Sequence, residues 1–531
     1  MHRNIGVCTA FAIVTAAAIP LPVAAADPPA ASRLPNIVFF LADDMGYGDP
    51  HCLNAKSKIP TPHMDQLAGQ GMVFLDAHSP SAVCSPTRYG ILTGRYCWRS
   101  RLKQHVLIPW DPPLIEPDRL TMPAMLRQHG YVTACIGKWH LGWDWPTRDG
   151  QPVPVKLKQV RPNSPLSMQD YENLDLARAI ANGPTTRGFD SYFGTDVPNY
   201  PPYCFIDNDR TIGIPTQLKP NNMFGNPGPM VPGWRLEPIL PTLTGRAVTF
   251  IDQHAAHHRD KPFFLYFAST APHTPIVPDD PFIGKSQAGP CGDFVYQVDW
   301  TIGQILAALE RNGLADNTIV VVTSDNGSPA QAGDPFKNGK DFESNGSVIR
   351  MYGHNPNAPW RGMKADIWEG GHHMPLFVRW PGHVPAGSTC DQTVCLTDFM
   401  ATFAKLVDHR LPNDAAEDSY DLSPLLLGRS PDHAIREATV HHSWSGMFAI
   451  RQDKWKLITA LGSGGWSPPA SLEPEPDGPK GQLYDMQADP GETKNLWLDR
   501  PDIVQRLTRL LEKYQREGRS APYREPGDGA R

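Results

Sequence analysis

The stretch Cys84-Ser85-Pro86-Thr87-Arg88 joins a thiol, a proline and a guanidinium at a spacing that suits anion chemistry. Proline favours the first turn of a helix. Cys84 is therefore expected at a helix N-terminus, where its side chain meets the positive end of the dipole. Arg88, four residues on, reaches the same face. A nucleophile that handles an anion gains from both. Asp43-Asp44 and Asp325-Asn326 each end an apolar run. Carboxylates and an amide converging from separate strands make a hard oxygen set, suited to calcium or magnesium rather than zinc. Lys138 and His140 lie in Gly137-Lys138-Trp139-His140-Leu141-Gly142, and in an extended segment they point the same way. His273 follows Ala271-Pro272, and Lys364 follows Arg361-Gly362-Met363. Singly, each residue has a plainer reading: a buried cysteine, a turn-capping Asp or Asn, a solvated lysine, a structural histidine. Brought together by a fold, the cations among them would form a compact positive shell.

Such residues need a scaffold that gathers them. Asn36–Leu41, Tyr131–Ile136, Phe263–Phe267 and Ile319–Val322 are apolar runs rich in β-branched and aromatic residues, and they read as buried strands. Thr121 to Gln128 reads as a short helix with Thr121 as cap. Val298, Ile302, Ile305, Leu306 and Leu309 repeat at helical spacing before Gly313. Strands alternating with helices predict an α/β fold, a large, mostly parallel sheet covered on both faces. Ligands in such sheets gather at the carboxyl ends of strands, where the polar residues above fall.

The texture changes near residue 430. Ala449–Arg451 and Trp455–Ile458 read as a hairpin, Leu483–Asp485 as a short strand, and Asp502–Glu517 as an amphipathic helix. This predicts a catalytic domain over 27–430 and a smaller α+β subdomain with a short antiparallel sheet over 431–531. Residues 1–26 carry Arg3, an apolar run from Val7 to Ala18, and Ala24-Ala25-Ala26, which together fit an export signal. An exported protein, periplasmic or secreted and without a transmembrane segment, is expected.

The 531 residues include 49 Lys plus Arg and 55 Asp plus Glu, a net charge of −6. That mild negative balance argues against nucleic acid as a partner. With 45 Gly and 56 Pro and no repeat, the composition suggests many fixed loops. The nine cysteines are an odd count for an exported chain, which points to a reactive or unpaired thiol. Cys390 and Cys395 are close enough in sequence for a local bridge.

Cys84-x-Pro86-x-Arg88 with Leu92-Thr93-Gly94-Arg95, together with the motifs around Asp43, Lys138, His273, Asp325 and Lys364, resembles the type I sulfatase family of the alkaline phosphatase superfamily. The resemblance covers roughly residues 34 to 500. It implies a sulfuric ester hydrolase in which a separate formylglycine-generating enzyme oxidises Cys84 to formylglycine. It also implies one divalent cation, calcium with magnesium as the alternative, held by Asp43, Asp44, Asp325, Asn326 and the modified Cys84. By resemblance Arg88 and Lys138 hold the diol, and His140 is the base in sulfate elimination. Lys364 and His273 bind sulfate, and one of them protonates the leaving alcohol. Asn199 matches a sulfate contact loosely. Asn326-Gly327-Ser328 spells a glycosylation sequon that a ligand amide could not use.

His372-His373 stand where many relatives carry an arginine. They join Tyr200–Tyr203, His354–Trp360 and His441–Trp444 as candidate substrate contacts. The export signal favours an extracellular sulfated carbohydrate of galactose or N-acetylgalactosamine type. The alternatives are a phosphonate or phosphate ester hydrolase of the same superfamily, or a non-catalytic glycan-binding relative.

Overall fold

The apolar runs become the centre of a sheet because their side chains are shielded on both faces. Asn36–Asp43, Phe263–Pro272 and Thr318–Ser324 are buried along their whole length, and Val132–Lys138 almost so. The computed structural model describes residues 1–2, 34–160, 164–331, 347–429 and 431–524. Most of the expected export signal lies outside the described residues.

The main sheet has ten strands. From one edge the order runs Ser388–Cys390, Met72–Phe74, Leu376–Arg379, Thr318–Ser324, Asn36–Asp43, Phe263–Pro272, Val132–Lys138, Ser191–Thr195, Ile206–Asp207 and Arg210–Thr211. The five strands from Thr318–Ser324 to Ser191–Thr195 are parallel. Leu376–Arg379 reverses direction beside Thr318–Ser324. The sheet is therefore mixed and mostly parallel, as the alternating pattern predicts.

Period-two alternation sorts side chains between the two faces. Val38, Phe40 and Ala42 join the core beneath helices Ile239–His257 and Gly289–Arg311. Phe39 points the other way and meets Phe399 of helix Phe399–Leu406 edge-on at 5.1 Å. Helix Met122–Gln128 starts where expected, with the Thr121 hydroxyl accepting from the Ala124 N–H at 3.3 Å.

A second, antiparallel sheet follows: Thr439–His442, Phe448–Gln452, Trp455–Ile458 and Gln482–Asp485. Helix Pro501–Glu517 lays Ile503, Leu507, Leu511 and Tyr514 against Ile450 and Leu457. Pro35 to Arg531 form a single compact unit. The described cysteines are all free thiols. Cys390 lies in the main sheet and Cys395 in a separate two-stranded one, so the local bridge does not form. Among the described residues no helix is long and apolar enough to cross a membrane.

Candidate active site

Parallel register brings the polar residues to one edge. Asp43 aligns with Pro272, Ala42 with Ser324, and Lys138 with Thr195. The residues that follow these strand ends, Asp44, His273, Asp325 and Asp196, therefore share one rim. Helix Cys84–Thr93 points its N-terminus at that rim and is buried throughout. Gly94 ends it in the left-handed region, with its N–H on the Gly90 carbonyl at 2.8 Å.

Cys84 is 2% exposed. Its Sγ lies 3.7 Å from Asp43 Oδ1 and 3.6 Å from Lys364 Nζ. Arg88 donates through Nε and a terminal nitrogen to Asp325 Oδ2, at 3.0 and 2.7 Å. Its other terminal nitrogen reaches the Lys138 carbonyl at 3.2 Å. Lys138 Nζ donates to Asp43 Oδ2 at 2.7 Å, and Lys364 Nζ to Asp44 Oδ2 at 2.8 Å. His273 Nε2 stands 3.8 Å from Asp44 Oδ2. The dispersed motifs thus form one buried set of interleaved cations and carboxylates.

Asp43, Asp44 and Asp325 offer carboxylate oxygens, and the Asn326 Oδ1 is buried without a hydrogen-bond partner. Asn326 Nδ2 donates to Asp44 Oδ1 at 2.6 Å, so its amide oxygen is free. Three carboxylates and an orphaned amide oxygen fit a calcium- or magnesium-sized ion. Asn326 is 0% exposed, which leaves no room for a glycan.

Burial drives the ionisation of the remaining groups. It pushes the Cys84 thiol up to about 12, against the pull of Lys138 and Lys364. It holds His140 well below the usual histidine range, and nearby Lys138 lowers it further. His140 Nε2 meets the Leu107 carbonyl at 2.9 Å, so Nε2 carries the proton. Nδ1 then holds a lone pair, and it has no partner. His273 is brought down to about 4 by burial.

Lys138 and His140 do not share a direction by strand alternation. The strand ends at Lys138, and His140 takes a left-handed backbone at φ 53°. The Asp196 carboxylate holds that turn through the His140 N–H at 3.1 Å. Asn199 keeps a buried Oδ1 without a partner.

His372 and His373 are not at the rim. Helix Glu369–His372 turns them inward, where they are 0% and 2% exposed. His373 meets Glu369 Oε2 and the Leu75 carbonyl, each at 2.8 Å. His372 meets Lys456 Nζ at 3.2 Å and His78 at 3.1 Å. It also stacks on His441 with ring centres 4.0 Å apart and planes 10° apart. One ion cannot lie in the planes of two parallel stacked rings, so His372 and His441 do not share a metal ion. The sequence placed His372 and His373 as substrate contacts, and the hydrogen bonds to Glu369, Leu75 and Lys456 hold them in the interior instead.

Sequence reasoning did not single out Asp196 or Trp466. Asp196 had the same signal as the other site residues, a polar group just past an apolar strand. Trp466 had only its place in a Gly- and Pro-rich loop.

A buried cysteine at a helix N-terminus, a cluster of carboxylate and amide oxygens and a cationic rim meet at the strand ends of a mostly parallel sheet. The Sulfatase family model matches residues 35–409, and the model for the C-terminal part of N-sulphoglucosamine sulphohydrolase matches 363–517. An N-acetylgalactosamine-6-O-sulfatase of Bacteroides thetaiotaomicron is 34% identical over 91% of this chain and 93% of its own. Human arylsulfatase A is 30% identical over 91% of this chain and 88% of its own. A solved structure described under glycosaminoglycan metabolism by Bacteroides thetaiotaomicron superposes with a TM-score of 0.73 at 31% identity. It covers 91% of this chain and all of the other. The chain belongs to the sulfatase family and is a sulfatase, hydrolysing sulfate esters.

Proposed function

We propose that the protein is a formylglycine-dependent carbohydrate sulfatase, exported to act on an extracellular sulfated glycan. The observation that carries the mechanism is the setting of residue 84, buried at a helix N-terminus with Lys364 Nζ 3.6 Å and Asp43 Oδ1 3.7 Å from its sulfur. A thiol held near 12 in a buried site is a poor nucleophile at neutral pH, although Lys138, Lys364 and Arg88 surround it with positive charge. Conversion to a hydrated aldehyde removes that difficulty, and Cys84 Sγ then marks where one hydroxyl of the diol stands.

One hydroxyl attacks sulfur, the S–O bond to the alcohol breaks, and the alcohol leaves with a proton from Lys364 or a protonated His273, which the proton released by the attacking hydroxyl replaces. The neutral His140, with its Nδ1 lone pair open, takes the proton from the second hydroxyl. The carbon–oxygen bond to sulfate then breaks and the aldehyde returns, ready for a new water. Covalent catalysis divides the reaction into two easier steps. Asp43, Asp44, Asp325 and Asn326, with the modified residue 84, would hold a calcium ion, magnesium being the alternative. When bound, that ion polarises the sulfate and diol oxygens.

The N-acetylgalactosamine-6-O-sulfatase relative supports a galactose- or N-acetylgalactosamine-type sugar as substrate. Mass spectrometry of the peptide containing residue 84, from protein made where the modifying enzyme is present, tests the mechanism. Formylglycine is expected, and unmodified cysteine in active protein overturns it. Release of sulfate from aryl esters but from no sulfated saccharide overturns the substrate reading. Faster turnover of phosphonate esters than of any sulfate ester favours the alternative hydrolase.

A further inference from the structure

Trp466 is 45% exposed, while its neighbours Gly464 and Ser467 are buried. A large aromatic left open on a fixed loop calls for an explanation in a way that a mobile one does not. This loop is fixed. Asp366 Oδ1 accepts the Trp466 N–H at 2.8 Å and the Ser467 N–H at 3.0 Å. The Ile367 N–H donates to the Ser463 carbonyl at 2.7 Å. Gly465 passes so close to the Ala365 carbonyl oxygen that a Cβ would come within 2.3 Å of it. The loop is therefore pinned to the segment 364–367, which carries the pocket lysine.

That anchoring sets the ring beside Lys364. Lys364 Nζ is 5.8 Å from the Trp466 ring centre and 3.6 Å from Cys84 Sγ. Trp444 stands behind it, with ring centres 5.9 Å apart, and its N–H donates to the Ala365 carbonyl at 2.9 Å. His105 leans on Trp444 at 4.6 Å and donates its N–H to the Trp444 carbonyl at 2.8 Å. The result is an aromatic wall beside Lys364, built from segments near residues 105, 444 and 466.

We propose that Trp466, backed by Trp444 and His105, is a stacking platform for the sugar ring that bears the sulfate ester. This rests on the saccharide sulfatase reading above. A sulfate at Lys364 and residue 84 puts the ester-bearing carbon on the open side of the lysine, and Trp466 is the aromatic face there. A pyranose presents an apolar C–H face with hydroxyls around its rim. An exposed indole satisfies the face and leaves the rim free for polar contacts. Trp466 is then a specificity-determining residue that binds ground state and transition state alike, so its removal acts on KM rather than kcat.

The experiment compares the wild type, Trp466→Leu and Trp466→Phe on a panel of sulfated monosaccharides and disaccharides, with inorganic sulfate as a competitive inhibitor. Trp466→Leu is expected to raise KM about tenfold with kcat within about twofold, while Trp466→Phe recovers most of the loss. The inhibition constant of inorganic sulfate should be unchanged, because sulfate alone does not reach the ring. An unchanged KM in Trp466→Leu overturns the platform. So does a parallel rise in the sulfate constant, which would mean that the tryptophan acts through Lys364. A wild type that cleaves no saccharide overturns the substrate reading instead, so the two failures are told apart.

Discussion

Asp196 holds His140 by its backbone: the His140 N–H donates to Asp196 Oδ1 at 3.1 Å, across the ends of two adjacent parallel strands. The same oxygen accepts the Trp143 indole N–H at 3.1 Å. Burial raises the Asp196 carboxyl to about 6. The left-handed turn at His140 is thus tied to a carboxylate that must be placed correctly for Nδ1 to face the pocket. Asp196→Asn keeps the shape but weakens the acceptor. A neutral acceptor makes a hydrogen bond weaker than a charged one by roughly 1 kcal/mol, so kcat should fall about fivefold. KM and the melting temperature should change little. Steady-state kinetics with a thermal melt check this, and a full loss of folded protein would refute a positioning role.

Arg88 is the cation on Asp325, and both are fully buried. Removing one partner of such a pair leaves an uncompensated charge, at a cost of about 3–5 kcal/mol. Arg88→Met should therefore lose activity and also melt several degrees lower. Lys138→Met should do the same through Asp43, whose carboxyl is held well below its usual range by Lys138, His273 and Arg88. Calorimetry of both variants tests this, and wild-type melting in either would contradict it.

The ion site predicts a stability effect that needs no substrate. Protein stripped with a chelator should gain about 2.7 kcal/mol when calcium reaches a hundred times its dissociation constant. Asn326→Ala removes the orphaned amide oxygen and should shrink that gain at the same calcium concentration. The readout is the melting temperature across a calcium titration. Equal shifts in both proteins would show that Asn326 is not a ligand.

The buried histidines predict how stability depends on pH. His442 is 1% exposed, both ring nitrogens lack partners, and burial lowers it to about 4. The unfolded chain takes up this proton near 6.5. Between those values the unfolded state binds more protons, so the stabilisation is present above 6.5 and is lost as pH falls toward 4. One pH unit below 6.5 costs about 1.4 kcal/mol for this residue alone. His78, His372 and His441 are lowered too and add in the same direction. Melts at pH 7.5 and 5.5 should show a large drop for the wild type and a smaller one for His442→Leu. Equal slopes would mean that His442 is not the group that titrates.

The fold was legible because its signals are local. β-branched runs became the parallel strands, and the helical spacing in 298–311 became part of Gly289–Arg311. The residues that end those strands were legible as a site for the same reason, since parallel register alone gathers them. What escaped were contacts decided by turns and distant packing. Nothing near His140 announces the left-handed turn that Asp196 imposes. His372 and His373 read as substrate contacts, and only Lys456, Glu369 and His78 explain why they are inside. Trp466 was invisible because its importance comes from Asp366, a hundred residues away in sequence.

Cys84 lies at the start of a wholly buried helix, with Asp43 and Lys364 within 4 Å of its sulfur. Another protein's active site that works on this side chain must reach the peptide on both sides of it. The finished fold denies that access. Chemistry performed on the side chain of residue 84 by another macromolecule therefore belongs to the life of the nascent chain, before the sheet closes around it. On the proposed mechanism, a host without the modifying enzyme would then make a folded protein whose residue 84 stays a buried thiol.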